Sequence, residues 1–480
     1  MKNIQPASLS PMYGRYHRKK TQAVKPRPAG EQKIRSLNAN KFAYIKYFLY
    51  LCTQICKMRE FVHMPKKRKY NIIDLFAGAG GLSEGFVQAG FNPIAHVEMD
   101  KDACDTLRTR ACYHYLVANG EKDVYYSYLK GEISRDTLYE SVPSRVVDSV
   151  INVEISDDTI KSTFKKIKKL AGSKHIDFII GGPPCQAYSL LGRHDKRMED
   201  DPRTRLYLQY GKFLQEFHPY GFVFENVPGL LSAKKGEHFR NLREYFDSLG
   251  YHVQYKMLDA SDYGVLQTRK RLIIVGWQKQ HDLGYPDIPT KLTSAVVNDI
   301  LGDLPELRAG DVQNLASYRT SPNDYLVESG IRSMAESFVT QNITRPLNNN
   351  DAAIYAFAIK MWNDKRIRLK YTDLPIELKT HRNEESFLDR FKVVDGGGNS
   401  HTLVAHLAKD GHYFIHPDIQ YCRSVSVREA ARLQSFPDNF FFEGSRSAKF
   451  KQIGNAVPPL MAKHIANSIQ NLIWQQKVIQ

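Results

Sequence analysis

Tyr70-Asn-Ile-Ile-Asp-Leu-Phe76 runs directly into Ala77-Gly78-Ala79-Gly80-Gly81. The first stretch is a short apolar run of strand length. The glycines after it permit a tight turn and let backbone approach a ligand closely. A helix-like stretch, Leu82 to Ala89, comes next, and Pro93-Ile-Ala-His-Val-Glu98 reads as a second strand. Later apolar runs repeat the theme at Ile176–Ile180, Gly221–Phe224 and Arg271–Val275, with helical patterns at Arg205–Glu216 and Glu237–Leu249 between them. Strand–helix alternation predicts an α/β fold, a mostly parallel sheet with helices on both faces. No internal repeat is visible.

Outside these runs the pattern changes. Residues 111–175 are long for one α/β connection and carry a helical segment near Ser162–Leu170, which predicts an insertion. Residues 290–422 have poor periodicity and polar loops such as Thr344–Asn350 and Gly396–Ser400, as expected of a smaller, irregular second domain. Regular pattern returns with a helix at Ser426–Leu433 and a closing helix at Pro459–Ile473. The expected organisation is a basic, disordered extension over 1–63, a large domain over 64–289, the irregular domain over 290–422, and a segment, 423–480, that returns to the large domain.

The chain has 480 residues, 42% hydrophobic and 25% charged, which suits two or three soluble domains and excludes collagen-like, coiled-coil or wholly disordered classes. Six cysteines with no CxxC pair predict neither a disulfide scaffold nor a zinc ribbon, so no metal site is expected. The net charge of +17 sits mostly in residues 1–70, which carry +15, so it does not by itself make the body a nucleic-acid binder. Phe42–Cys52 is apolar but short and interrupted by Lys46, so no membrane span is expected. It reads as an amphipathic helix on the body, or as sequence upstream of a true start at Met58 or Met64.

Three stretches carry chemistry. Glu98 ends the second strand 17 residues after Gly81, where an acidic residue binds ribose hydroxyls. The glycine pattern is not GxGxxG, so a mononucleoside such as S-adenosylmethionine is expected rather than a dinucleotide. Gly181-Gly-Pro-Pro-Cys185-Gln186-Ala-Tyr-Ser189 follows a strand, and its prolines fix a turn that aims Cys185 out from the sheet edge. Glu225-Asn226-Val227-Pro228 ends another strand, and its carboxylate can serve as a proton donor beside a nucleophilic thiol. The structural alternatives are a buried, inert cysteine and a carboxylate that merely caps a helix. Gln267, Arg269 and Arg271 share one side of an extended segment and could grip a phosphate or a base carbonyl, or form a solvated strand start.

Together these segments resemble the DNA cytosine carbon-5 methyltransferase family over roughly residues 70–475. The family's segments stand in order as Asp74–Gly81, Glu98, Gly181–Gln186, Phe224–Val227, Gln267–Arg271 and Gln452–Pro459. The resemblance implies a Rossmann-like S-adenosylmethionine-dependent catalytic domain and a target-recognition domain. It implies that Phe76, Gly78, Gly80, Glu98, Asn455 and Val457 hold the cofactor. Cys185 would be the nucleophile, Glu225 the proton donor to ring nitrogen 3, Arg271 a contact to the base carbonyl, and Arg269 a support for the active-site loop or a phosphate. Gln186, Ser189, Gln267 and Thr402 would meet the substrate. The family's third cofactor segment usually offers an Asp; here Glu154 stands closest to that place. The implied partner is double-stranded DNA, bound by a monomer in a bacterial cytoplasm, with a cognate restriction endonuclease in the same system. The alternatives are a transfer-RNA cytosine methyltransferase, a silent DNA-binding protein and a nucleotide-dependent oxidoreductase.

Overall fold

The computed structural model describes residues 69–184, 206–379, 385 and 388–479. Seven strands form one sheet: β1 (Asn71–Leu75), β2 (Asn92–Glu98), β3 (Val150–Asn152), β4 (Phe178–Gly181), β5 (Gly221–Asn226), β6 (Tyr251–Asp259) and β7 (Lys270–Gln278). Their order is β3-β2-β1-β4-β5-β7-β6. The first five run parallel, and β7 is antiparallel to both its neighbours. The mostly parallel α/β sheet expected from the sequence is therefore present.

Successive side chains on a strand point to opposite faces, and both faces here are apolar. Ile73, Leu75, Ile179, Phe222, Phe224, Leu272 and Ile274 join one core cluster. Ile72, Phe178, Ile180, Val223, Ile273 and Val275 join another. We label the main helices α1 (Gly81–Gln88), α2 (Lys101–Ala118), α3 (Ile160–Ala171), α4 (Leu206–Phe217), α5 (Glu237–Ser248), α6 (Val427–Leu433), α7 (Arg446–Asn455) and α8 (Pro459–Ile479). The first cluster is covered by α3, α4 and α5. The second is covered by α1 and by α8, through Met461, Ile465 and Ile469. The closing helix thus completes the sheet's second face, which is why the chain must return from the irregular region.

The long connection before β3 holds three short helices, Lys122–Leu129, Arg135–Glu140 and Ser144–Asp148, around a tyrosine-rich cluster. Between β7 and α6 the one further sheet among the described residues is the antiparallel pair β8 (Val312–Ser317) and β9 (Phe338–Ile343). A third core cluster runs from Val297 through Val339, Leu403 and Val427 to Ile453. Among the described residues, no helix is long and apolar enough to cross a membrane.

Two histidines in this region, the buried His416 and the half-buried His401, tie stability to pH. His401 stacks on Phe414, centroids 5.0 Å apart, and His416 lies 3.7 Å from Glu429 and accepts from the Asp418 amide. Burial is the main cause that pushes both imidazoles down, to about 4. Each stays neutral in the fold while an unfolded imidazole, with a pKa of about 6.5, takes up a proton. The unfolded state therefore binds more protons between these values, and stability falls as pH drops through that window. Chemical denaturation is expected to find the protein about 2–4 kcal/mol less stable at pH 5 than at pH 7. Equal stabilities at the two pH values would contradict the assignment.

Candidate active site

The strand order reverses between β1 and β4: β1 leads outward to β2, and β4 leads the other way to β5. Side chains and loops at the carboxyl ends on either side of such a switch point frame a crevice. On the β1 side, the backbone turns sharply at Phe76, which has φ 55°, a costly value for a bulky side chain. Gly78 has φ +54°, and a Cβ there would meet nothing within 4 Å, so the loop is open at that point. A Cβ on Gly80 would lie 2.7 Å from Leu107, and one on Gly81 would lie 2.3 Å from the Val457 carbonyl. The glycines thus let α1 start directly against α2 and against the segment that follows α7.

Glu98, at the end of β2, holds this loop. One carboxylate oxygen accepts the Gly78 amide at 2.8 Å, and the other accepts the Met99 and Asp100 amides at 2.9 and 2.8 Å. Burial nonetheless dominates and pushes its carboxyl up from the usual range. Glu154 is exposed and lies two residues past the end of β3, the strand that pairs with β2; Val153 donates to the Glu98 carbonyl at 2.9 Å. Asn455 is exposed at the end of α7, and Val457 is buried in the core beside α1.

On the β4 side, Gly182, Pro183 and Pro184 leave the strand, and Cys185, Gln186 and Ser189 lie outside the described residues. The turn abuts Glu225 at the end of β5. A Cβ on Gly182 would sit 2.5 Å from Glu225 Oε2, so only glycine lets the carboxylate lie against the turn. The other oxygen, Oε1, is 2.7 Å from Arg271 Nε at the start of β7. Both side chains are largely buried, at 14% and 11% exposure, which strengthens the pair over a surface one. Asn226 donates to the Pro183 carbonyl at 3.4 Å and accepts the Val227 amide at 2.9 Å. It braces the proline turn from below, a role that adjacency to Glu225 could have suggested from sequence.

A glycine loop with a half-buried acidic partner and a proline turn against a carboxylate–guanidinium pair lie at the carboxyl ends of neighbouring strands and face one crevice. The family model for C-5 cytosine-specific DNA methylases matches residues 70–144 and 147–471. The chain belongs to this family. It is an enzyme that methylates cytosine in DNA. The methylase is 42% identical to the type II methyltransferase M.Bpa9945I of Bacillus paralicheniformis, over 84% of this chain and 99% of the relative. It is 32% identical to the type II methyltransferase M.XorII of Xanthomonas oryzae pv. oryzae, over 84% of each. A solved E. coli structure, a prophage-encoded protein assigned as a DNA modification methyltransferase, matches with TM-score 0.58 and 25% identity, over 84% of this chain and 99% of that one.

The Gln267–Arg271 segment of the methylase divides its labour differently from the expectation. Only Arg271 reaches the crevice pair. Arg269 is fully buried and donates to the carbonyls of Leu403, of Gly454 at 3.1 Å and of Ala456 at 2.8 Å. Of the two roles expected of Arg269, support of the active-site loop or a phosphate contact, neither is seen directly: the side chain clamps two backbone segments together through three carbonyls. Gln267, expected to meet substrate, is also fully buried. It donates to Leu433 O and Gln434 Oε1, both at 3.0 Å, and accepts the Leu403 amide at 2.8 Å. Thr402 spends its hydroxyl on the Thr268 carbonyl at 2.7 Å. Strand parity correctly groups 267, 269 and 271, but it says nothing about which chain covers that side. Here residues 400–404 pair along it, with Ser400 opposite Gln267, and 453–456 close it. Gln434, whose amide reaches the Ile453 carbonyl at 2.7 Å, completes the clamp and carries no sequence signal of its own.

Proposed function

We propose that the methylase transfers a methyl group from S-adenosylmethionine to carbon 5 of a cytosine turned out of double-stranded DNA, through a transient bond from Cys185 to carbon 6. The observation that carries this reading is the contact of the Gly182–Pro184 turn with Glu225, itself paired to Arg271. A thiol one residue beyond that turn would stand beside a carboxyl group held in place by a guanidinium. Carbon 5 of cytosine is too weak a nucleophile to react unaided. Addition of the Cys185 thiolate to carbon 6, with a proton from Glu225 to nitrogen 3, would turn it into an enamine carbon and stabilise the charge on the ring. Arg271 would hold Glu225 and the base carbonyl in register. Loss of the carbon-5 proton then releases the thiol.

The crevice fits the methyl donor. Glu98 offers a carboxylate of the kind that binds a ribose diol, the open loop at Gly78 leaves room beside it, and the exposed Glu154 and Asn455 would border the bound cofactor. When bound, S-adenosylmethionine supplies the electrophilic methyl sulfonium. Carbon 6 is unreachable in a stacked duplex, so the base must be extruded, at a cost of about a few kcal/mol. Residues 290–422 would read the neighbouring bases. The relatives named as type II methyltransferases support pairing with a restriction endonuclease of the same specificity; action as a monomer on DNA and a place on the bacterial nucleoid belong to the same proposal.

The test is bisulfite sequencing of a plasmid from cells that express the chain, beside cells that carry the empty vector. Protected cytosines in one recurrent duplex context are expected only with expression. Protection in transfer RNA but not in DNA would overturn the substrate.

A further inference from the structure

Arg345 and Arg446 stand together without a carboxylate. Arg446, in the first turn of α7, donates from Nη1 to the Thr344 carbonyl at 3.1 Å, the residue next to Arg345. Arg345 donates from Nη2 to the carbonyls of Leu407 and Ala408 at 3.2 and 3.0 Å. Both side chains are half-buried, and the Nε of each is buried with no acceptor. Among the described residues, no acidic side chain lies within 4 Å of either guanidinium. Asp410, the acid whose charge Arg345 feels, is already engaged by the His412 amide at 3.0 Å and by His406 at 3.7 Å. Burial and the neighbouring Arg446 charge push the Arg345 guanidinium down from its usual value.

Two like charges held near each other, half-covered and with buried Nε groups that lack an acceptor, are a local conflict that an anion would resolve. Their position narrows the choice of anion. Leu407 and Ala408 lie a few residues beyond Thr402 and Leu403, which the Thr268–Arg269 clamp ties beneath the catalytic strand. Arg446 opens the helix that ends at Asn455, so it stands about 14 Å from that end of the crevice. A DNA strand rises about 3.4 Å per nucleotide, so a duplex laid across the crevice would cover such a distance within a few nucleotides.

We propose that Arg345 and Arg446 form a phosphate site that grips a backbone phosphodiester of the DNA substrate a few nucleotides from the target base. Guanidinium forks suit phosphate oxygens geometrically, and a phosphate contact fixes register without reading sequence. By its grip on Leu407 and Ala408, Arg345 would pass that register to the loop next to the clamp. The inference rests on DNA being the substrate.

The experiment measures binding of the full chain to a short duplex from 50 to 300 mM NaCl, for the wild type, Arg446→Gln and Arg446→Lys. Arg446→Gln is expected to lower the slope of log affinity against log salt by about one, and to weaken specific and non-specific duplexes alike by about three- to tenfold. Arg446→Lys keeps the charge and is expected to keep the slope. A single methylphosphonate, scanned along the duplex, gives an independent reading: one position should weaken the wild type and leave Arg446→Gln no weaker. An unchanged slope and no such position would overturn the proposal. Inorganic phosphate that raises the melting temperature of the wild type but not of Arg446→Gln, with DNA slopes equal, would overturn it in favour of a free-anion site. A wild type with no affinity for duplex DNA would instead fail the reading on which the inference rests.

Discussion

Glu225→Gln is expected to slow methyl transfer by about 10²–10⁴-fold while DNA and cofactor affinities stay within a few-fold of wild type. The glutamine side chain has nearly the shape of the carboxyl group. Its oxygen can still accept from Arg271 Nε, where the carboxylate now sits at 2.7 Å, and the turn at Gly182 needs no adjustment. In the proposed mechanism what is lost is the transferable proton at nitrogen 3, an interaction that strengthens only as charge develops on the ring. The loss should therefore fall on the single-turnover rate and not on KM. Cys185→Ala removes the proposed nucleophile and is expected to abolish transfer, again with DNA still bound. Tritium transfer from labelled cofactor under single-turnover conditions checks both. A Glu225→Gln rate within threefold of wild type would remove Glu225 from the chemistry.

The strands that frame this site were legible because parallel strands buried on both faces are written as short, continuous apolar runs. The predicted Gly221–Phe224 run became β5, Gly221–Asn226, with Glu225 at its carboxyl end as expected. β6 was not legible. Its middle residues, Gln254 to Met257, are solvent-facing or half-covered at the sheet edge, so Tyr251–Asp259 carries no apolar run. β8 is exposed along most of its length and β3 is only three residues long, and neither leaves a periodic signal. The placement of the glycine loop, the proline turn and Glu225 at strand ends was legible because glycine, proline and a strand-end carboxylate are local signals. The roles of Gln267 and Arg269 were not, because burial by residues 400–404 and 453–456 is a long-range fact. A buried arginine and a phosphate-binding arginine look alike in sequence.

That same ambiguity governs the arginines of α6, and the largest stability loss is expected there. Arg432→Ala should destabilise the fold by about 3–5 kcal/mol, a large share of the 5–15 kcal/mol that holds a typical protein together. Arg432 is fully buried and meets Asp438 with two bonds, 2.9 and 2.5 Å long. It also meets both oxygens of Asp303 and donates to the Ile300 carbonyl at 2.7 Å. Removing it strands two carboxylates that water cannot reach. Arg332 still holds Asp303 at 2.5 Å, and Arg428 approaches Asp438 at 3.9 Å, so the remaining positive charge softens the loss without cancelling it. Arg432→Lys should recover little, because one ammonium cannot span both carboxylates in the plane of the guanidinium fork. The damage should also reach the crevice. Leu433 and Gln434, the next two residues, hold Gln267, and Gln434 holds Ile453. The variant is therefore expected to lose methyl-transfer rate even at temperatures where it stays folded. Denaturant titration with a parallel rate measurement separates the two effects. Wild-type stability in Arg432→Ala would mean that the buried charges are held by their other partners alone.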